Sequence, residues 1–373
     1  MKKLFLMLSL SLFFFASCSK APEQPRQYQV LGSTPITNVA LFENRSKIMV
    51  SWLEKDYKNM TLVHIDAHDA LAFLPEENIK NIKKLVRDKN WKELERSFMP
   101  DSYLYSAIRL GIARKIFWVI PNRFLEYYDA ERRVKFFLKN LPSGFKVEEI
   151  NKFKFNRGCV SGKLHDAEIS ICSAETLPFI PEAVVFDIDA DFFPPYSLEK
   201  GISNLRGLKE FFDAMNQRQL KIASAEISFS EGRESLNPVH RYIGMQLSEA
   251  LKDPEILKAT VPHELWSIRN NAESMISSGA FKEALEYLNK SMEKYPEEQS
   301  LIMFRAVALA HTGKTEAALD SLERLCKRDK NLCYGIIYAG RELEKIGKIN
   351  ASRLFFEKAI ELRPDLAAMV QVD

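Results

Sequence analysis

Apolar and polar positions along this chain follow two rhythms. Short apolar runs rich in β-branched residues fall at 38–42, 61–66, 115–120, 184–189 and 222–227. Between them, residues 46–57, 126–141 and 202–217 carry the spacing of amphipathic helices. An apolar run of that length with polar ends suits a strand buried on both faces, and alternation with helices predicts a parallel sheet covered on both sides. Residues 153–174 alternate polar and apolar positions and read as an inserted hairpin. After residue 264 the pattern becomes periodic: Gly279, Gly313 and Gly347 recur at intervals of 34, and Ala284, Ala318 and Ser352 keep the same phase. Residues 248–263, polar and proline-bearing, read as a linker between two separately cored units.

The 34-residue period, with small residues where paired helices would touch and Pro296 and Pro364 closing the first and third units, resembles the tetratricopeptide repeat. Three repeats over 264–370 are expected, each a helix, a turn at the glycine and a second helix. The resemblance implies a surface for a protein or peptide partner; a stabilising or dimerising appendage is the plainer alternative.

Residues 1–17 have a basic start, an apolar core and a small-residue end, the order of a secretory signal. The apolar stretch is shorter than the roughly 20 residues that span a bilayer. Phe15-Ala-Ser-Cys18 resembles a bacterial lipobox, with Phe15 where leucine is usual. That resemblance makes Cys18 the lipidated mature N-terminus, residues 18–33 a tether, and the protein a lipoprotein of the cell envelope, anchored in the outer membrane and facing the periplasm. In the alternative the protein is simply secreted and Cys18 belongs to the cleavage region.

Removal of the signal leaves about 355 residues, enough for two or three domains. Lys+Arg 53 against Asp+Glu 50 is nearly balanced, which argues against nucleic acid as a partner. An oxidising compartment would permit bridges from Cys159 to Cys172 and from Cys326 to Cys333, but four free thiols fit the sequence equally well.

Two apolar runs end in hard ligands, Thr61-Leu-Val-His-Ile-Asp-Ala-His-Asp69 and Ala183-Val-Val-Phe-Asp-Ile-Asp-Ala-Asp191. Residues two apart on a strand share a face, so Asp66 converges with His68 and Asp187 with Asp189. Carboxylates at a buried strand end are costly unless paired or holding a cation. Three carboxylates and one imidazole form a ligand set for a divalent metal such as Zn²⁺ or Mn²⁺.

Val63-His-Ile-Asp-Ala-His68 and Phe186-Asp-Ile-Asp189 resemble the metal motifs of the arginase and histone-deacetylase superfold. The intervening Ala107-Ile-Arg-Leu-Gly-Ile-Ala-Arg-Lys-Ile-Phe-Trp-Val-Ile-Pro121 resembles an uncharacterised branch of it. The resemblance covers about residues 34–230, within an α/β domain expected over 34–247, and implies a doubly wound three-layer parallel sheet, followed here by the all-α repeat domain. It implies Asp66, His68, Asp187 and Asp189 as metal ligands. Two departures stand out. Ala70 takes the place of a further aspartate, and Asn44 that of an upstream histidine; both belong to one of arginase's two metals, so a one-metal site is expected.

The loss also removes the obvious general base. Glu226, at the end of its strand, matches by position an arginase substrate-binding acid, and Asp69 could serve if the loop turns there. His64 reads as a hydrogen-bonded core histidine, His165 as a surface residue, and Asp191 as either a carboxylate fixing His68 or a helix cap. The resemblance implies hydrolysis of a C–N bond in an amide, acetamide or amidine, on a small-molecule or acylated substrate. The alternative is a catalytically inert, surface-anchored scaffold in which the repeats bind a partner.

Overall fold

A computed structural model describes residues 28–121, 125, 128–141, 145–229 and 238–370. The signal sequence and Cys18 lie outside the described residues. Among the described residues, the centre of the fold is a nine-stranded mixed sheet: β1 (Gln29–Val30), β2 (Val39–Phe42), β3 (Met60–Ile65), β4 (Ala113–Val119), β5 (Lys154–Asn156), β6 (Cys159–Leu164), β7 (Ala167–Cys172), β8 (Ala183–Asp189) and β9 (Lys221–Ser228). Six strands run parallel in the order β2-β9-β8-β3-β4-β7. β1 pairs antiparallel with the start of β9, and β6 and β5 continue the sheet antiparallel beyond β7. The irregular segment is therefore a hairpin that also widens the main sheet. Cys159 is disulfide-bonded to Cys172 across β6 and β7, and Cys326 to Cys333.

Period-two alternation along the central strands sorts their side chains into two cores. Leu62, Ile116, Trp118, Ile171 and Val185 face the helices Arg45–Glu54, Glu76–Arg87, Tyr103–Arg109 and Ala130–Asn140. Val63, Ile65, Phe117, Val119, Phe186, Ile188 and Ile227 face Phe193–Lys200, Asn204–Asn216 and Tyr242–Lys252. The three-layer arrangement follows from strands that are apolar on both sides and so need helices on both.

Three helix pairs follow: Glu264–Ser277 with Phe281–Lys294, Gln299–His311 with Thr315–Arg328, and Tyr334–Lys345 with Ile349–Leu362. Between the helices of each pair sits one of the periodic glycines at φ of 77°, 86° and 76°, the left-handed conformation that closes a helix without steric cost only when Cβ is absent.

The segment expected to be a linker is largely helical and partly buried. Its first residues complete Tyr242–Lys252, and Glu255–Lys258 adds another helical turn. Ala250, Leu251 and Leu257 are buried. The Ile36 N–H donates to the Leu251 carbonyl at 2.8 Å, and the Trp266 indole donates to Glu249 at 2.5 Å. One apolar cluster runs without a break from the sheet through Leu251 and Trp266 to Phe304 and Phe356. The first helices of the second and third pairs touch residues 238–240 of the same chain, and the ring of Tyr242 packs 6.0 Å from that of Phe304. Among the described residues, no helix is long and apolar enough to cross a membrane.

Candidate functional site

The cross-strand register lines up Trp118 on β4, His64 on β3, Asp187 on β8 and Glu226 on β9. Paired residues on parallel strands point to one face, so a row of charge lies under the Arg45–Glu54 and Tyr103–Arg109 helices. One step toward the carboxyl ends, Asp66 and Asp189 extend it. The Asp66 N–H still donates to the Val119 carbonyl at 3.2 Å, which holds the residue at the strand's end.

The deepest layer is closed. His64 Nδ1 stands 2.7 Å from Asp187 Oδ2, and the Tyr103 hydroxyl donates to the same oxygen while lying 2.9 Å from His64 Nδ1. Burial alone would lower the His64 pKa, but Asp187 and Asp66 outweigh it and push the imidazole up to about 9. Burial and Asp187 together push the Tyr103 hydroxyl well above its usual range. Glu226 is likewise engaged: Lys55 Nζ lies 3.1 Å from Oε1 and Ser224 Oγ donates to Oε2 at 3.2 Å. Burial raises the Glu226 pKa against the pull of Lys55.

The middle layer centres on Arg45, whose side chain is buried. Asn44 caps its helix, accepting from the Lys47 N–H at 3.1 Å, so Arg45 is the first helical residue. A cation at a helix N-terminus opposes the macrodipole and is stable there only with strong anionic company. It has that company. Nη2 is 2.5 Å from Asp66 Oδ2 and 3.9 Å from Asp191 Oδ2, while Nε donates to Asp189 Oδ2 at 2.8 Å. Burial would raise the Asp66 pKa, but Arg45 and His64 reverse it and hold this carboxyl far below the usual range. Asp189 is pushed well up by burial and by Asp191, which Arg45 only partly offsets.

The outer layer is open to solvent through His68, 47% exposed at its side chain. Its Nδ1 stands 3.2 Å from Asp191 Oδ2 and 3.4 Å from Asp66 Oδ1, and the two carboxylates push it up to about 11. One ligand atom from each of Asp66, His68 and Asp191 lies within 4.8 Å of the others. Asp191 Oδ1 is buried without a hydrogen-bond partner among the described residues. Two carboxylates, one of them with an unsatisfied oxygen, and an imidazole are a donor set that fits a divalent ion of the zinc or manganese class.

Of the four residues expected as ligands, Asp66 and His68 meet at this open edge. Asp187 is committed to His64 and Tyr103, and Asp189 to Arg45. Asp191 joins them because the strand alternation ends at Asp189, whose Oδ1 accepts the Asp191 N–H at 3.1 Å and turns the chain. Asp69 Oδ1 accepts the Leu71 N–H at 2.9 Å, and the backbone turns sharply at Ala70, φ 48°. Burial raises the Asp69 pKa, and Asp66 adds to the rise. His165 packs against the rings of Tyr105 and Phe145, away from the cluster. Arg45, Lys55 and Tyr103 gave no sequence signal beyond their charge or ring, since partners so distant in the chain leave no local spacing.

Beside the cluster lies a mainly apolar cavity of about 280 Å³ lined by Ala67, Trp118, Ile120, Val134, Phe137 and Pro195, among others. Ala67 separates Asp66 from His68 in the chain, and the Trp118 indole donates to the Asp66 carbonyl at 2.9 Å. Cavity and cluster thus share a wall at the carboxyl ends of the strands, where ligands of open α/β sheets gather.

A family model of the tetratricopeptide repeat matches residues 339–366, within the third helix pair and the turn after it. The chain therefore carries a tetratricopeptide repeat in a helical C-terminal region, a module suited to protein–protein interaction. No curated protein matches the chain.

Proposed function

We propose that this protein is a metal-dependent hydrolase of C–N bonds in amides, acetamides or amidines, with its ion held by Asp66, His68 and Asp191. The observation that carries the reading is the convergence of those three side chains at the carboxyl ends of the strands, with Ala67, between Asp66 and His68 in the chain, lining the neighbouring apolar cavity. A divalent ion supplies Lewis acidity toward a carbonyl oxygen and lowers the pKa of water to about 7. Around it, Asp66 and Asp191 would fix the imidazole of His68 and the cavity would take the apolar part of the substrate. Asp69, whose carboxyl pKa burial raises above its ordinary value, is the candidate proton carrier. Glu226, held by Lys55 and Ser224, serves to keep the charge row assembled.

The arginase-like sheet order, the tether at Cys18 and an outer-membrane location belong to this reading. The two disulfides support an oxidising compartment, because such bonds persist mainly outside the reducing cytosol. The repeats would bind a protein partner.

Metal analysis of the purified chain tests the reading. Close to one Zn²⁺ or Mn²⁺ per chain, lost in Asp66→Ala and Asp191→Ala, is expected, with hydrolysis of a panel of simple amides lost in the same variants. Absence of any bound metal after reloading would sink it. One observation favours the inert scaffold as the second reading: Arg45 and two protonated histidines compensate the carboxylates without an ion, as Asp189 is pushed toward its neutral form.

A further inference from the structure

The acidic cluster has two halves. In the open half, Asp66 Oδ1, His68 Nδ1 and Asp191 face solvent through the half-exposed imidazole. In the closed half, Asp66 Oδ2 and Asp189 Oδ2 both meet the guanidinium of Arg45, at 2.5 and 2.8 Å. Asp66 is the bridge, with one oxygen in each half. Carboxylates brought this close without water require positive charge, from a metal ion or a fixed side chain. A buried guanidinium, planar and charged at any pH at which the protein is folded, is suited to be that side chain.

We propose that Arg45 is a built-in cation filling the second of two cation positions in this cluster, so that the site takes one divalent ion and its carboxylates cannot gather two. The proposal rests on the metal reading for the open half but stands on its own geometry for the closed half. The backbone supports it: Asn44 anchors the helix start through its cap, so the guanidinium is delivered from a fixed point rather than from a free arm. The Tyr103 ring, 5.9 Å from the guanidinium carbon, adds a wall against which the cation is held. Removing this side chain would leave Asp66 Oδ2 and Asp189 without the guanidinium between them, with His64 Nε2, 3.4 Å from Asp66 Oδ2, as the remaining cationic neighbour on the buried side, and so a pair of hard ligands open to a second ion.

The test is metal stoichiometry by elemental analysis and titration calorimetry on the full chain after chelation and reloading with Mn²⁺ or Zn²⁺, for the wild type, Arg45→Lys and Arg45→Ala. The expected result is one ion in the wild type and in Arg45→Lys, and a doubling in Arg45→Ala. An unchanged count of one in Arg45→Ala overturns the proposal while leaving the metal reading intact, as does two ions in the wild type. No ion in the wild type with one gained in Arg45→Ala removes the metal reading and the one-ion count that rests on it, and upholds only Arg45 as the cation that fills the closed half. Thermal melts guard against misfolding. Recovery of the Arg45→Ala melting temperature on adding metal, beyond any shift in the wild type, supports the proposal; a variant that stays destabilised with metal present counts against it.

Discussion

Glu273, on the first helix of the repeat array, accepts the hydroxyl of Tyr242, on a helix that covers the sheet, at 2.6 Å. Asn204 donates to its other oxygen at 2.6 Å and His240 Nε2 lies 2.8 Å away. One carboxylate thus joins three residues from the α/β side of the molecule. Beside it, fully buried Arg269 reaches Glu298 at 2.7 Å and Ser300 at 3.2 Å. This seam is polar but enclosed, and an apolar cluster continues around it.

Truncation after residue 247 should therefore fail to yield a folded α/β domain. It removes Leu251, Leu257 and Trp266 and bares the face of Tyr242 and Ile243. Each large apolar side chain returned to water costs about 1.5–3 kcal/mol, so a handful exhausts a total stability of about 5–15 kcal/mol. The check is size-exclusion chromatography with a denaturant melt; a monomeric fragment unfolding cooperatively at the full-length midpoint would show that the repeats are an independent unit.

Docking of the repeats should weaken in acid. Burial would raise the Glu273 pKa, but His240, Tyr242 and Asn204 reverse this and hold it below the ordinary value of 4.5. A depressed carboxyl pKa contributes stability that is present above 4.5 and lost as pH falls through the folded value, because the unfolded chain then binds the proton first. The stability gap between wild type and Glu273→Gln should accordingly be constant from neutral pH to about pH 5 and narrow below it. Denaturant midpoints across pH 3–7 read this directly, and a gap that widens in acid would contradict the assignment.

Cys18→Ser should release the protein from the membrane or leave an uncleaved precursor, because the thiol would be the lipid's attachment point. Fractionation with labelled fatty acid decides it: membrane association without label in the wild type would exclude the lipid anchor.

The central strands were legible because a strand buried on both faces needs an unbroken apolar run, as at 61–66 and 184–189. The repeats were legible because a turn that requires Gly279, Gly313 and Gly347 stamps its period on the chain. Asp66 and His68 were legible as neighbours for the same reason: two residues apart at a strand's end, they have little freedom to separate. Asp191 was not, since alternation assigned its direction only while the strand lasted. Arg45 was not, since a lone arginine at the start of an amphipathic helix looks like a solvated charge until the partners supplied by β3 and β8 are known. Docking of the repeats was hidden by chemistry, because Glu249, Glu273 and Arg269 are residues that composition assigns to the surface.

The two histidines of the first motif should respond in opposite ways. His64 is fully buried with Asp187 and Tyr103, so His64→Ala strands a buried carboxylate and should cost about 3–5 kcal/mol, the range for breaking one side of a buried charge pair. His68 is half-exposed, so solvent screens its pairing with Asp66 and Asp191, and His68→Ala should cost about 1 kcal/mol or less in the metal-free protein, well below the His64→Ala cost. Under the proposed reading His68→Ala also loses bound metal and the stabilisation that metal confers. Urea melts with and without a chelator separate the two: a wild-type midpoint that falls with chelator, a His68→Ala midpoint indifferent to it, and a His64→Ala midpoint low in both. If His68→Ala proves the more damaging without metal, the layer order of closed core and open edge is inverted, and Asp187 with His64 becomes the better candidate for the reactive centre.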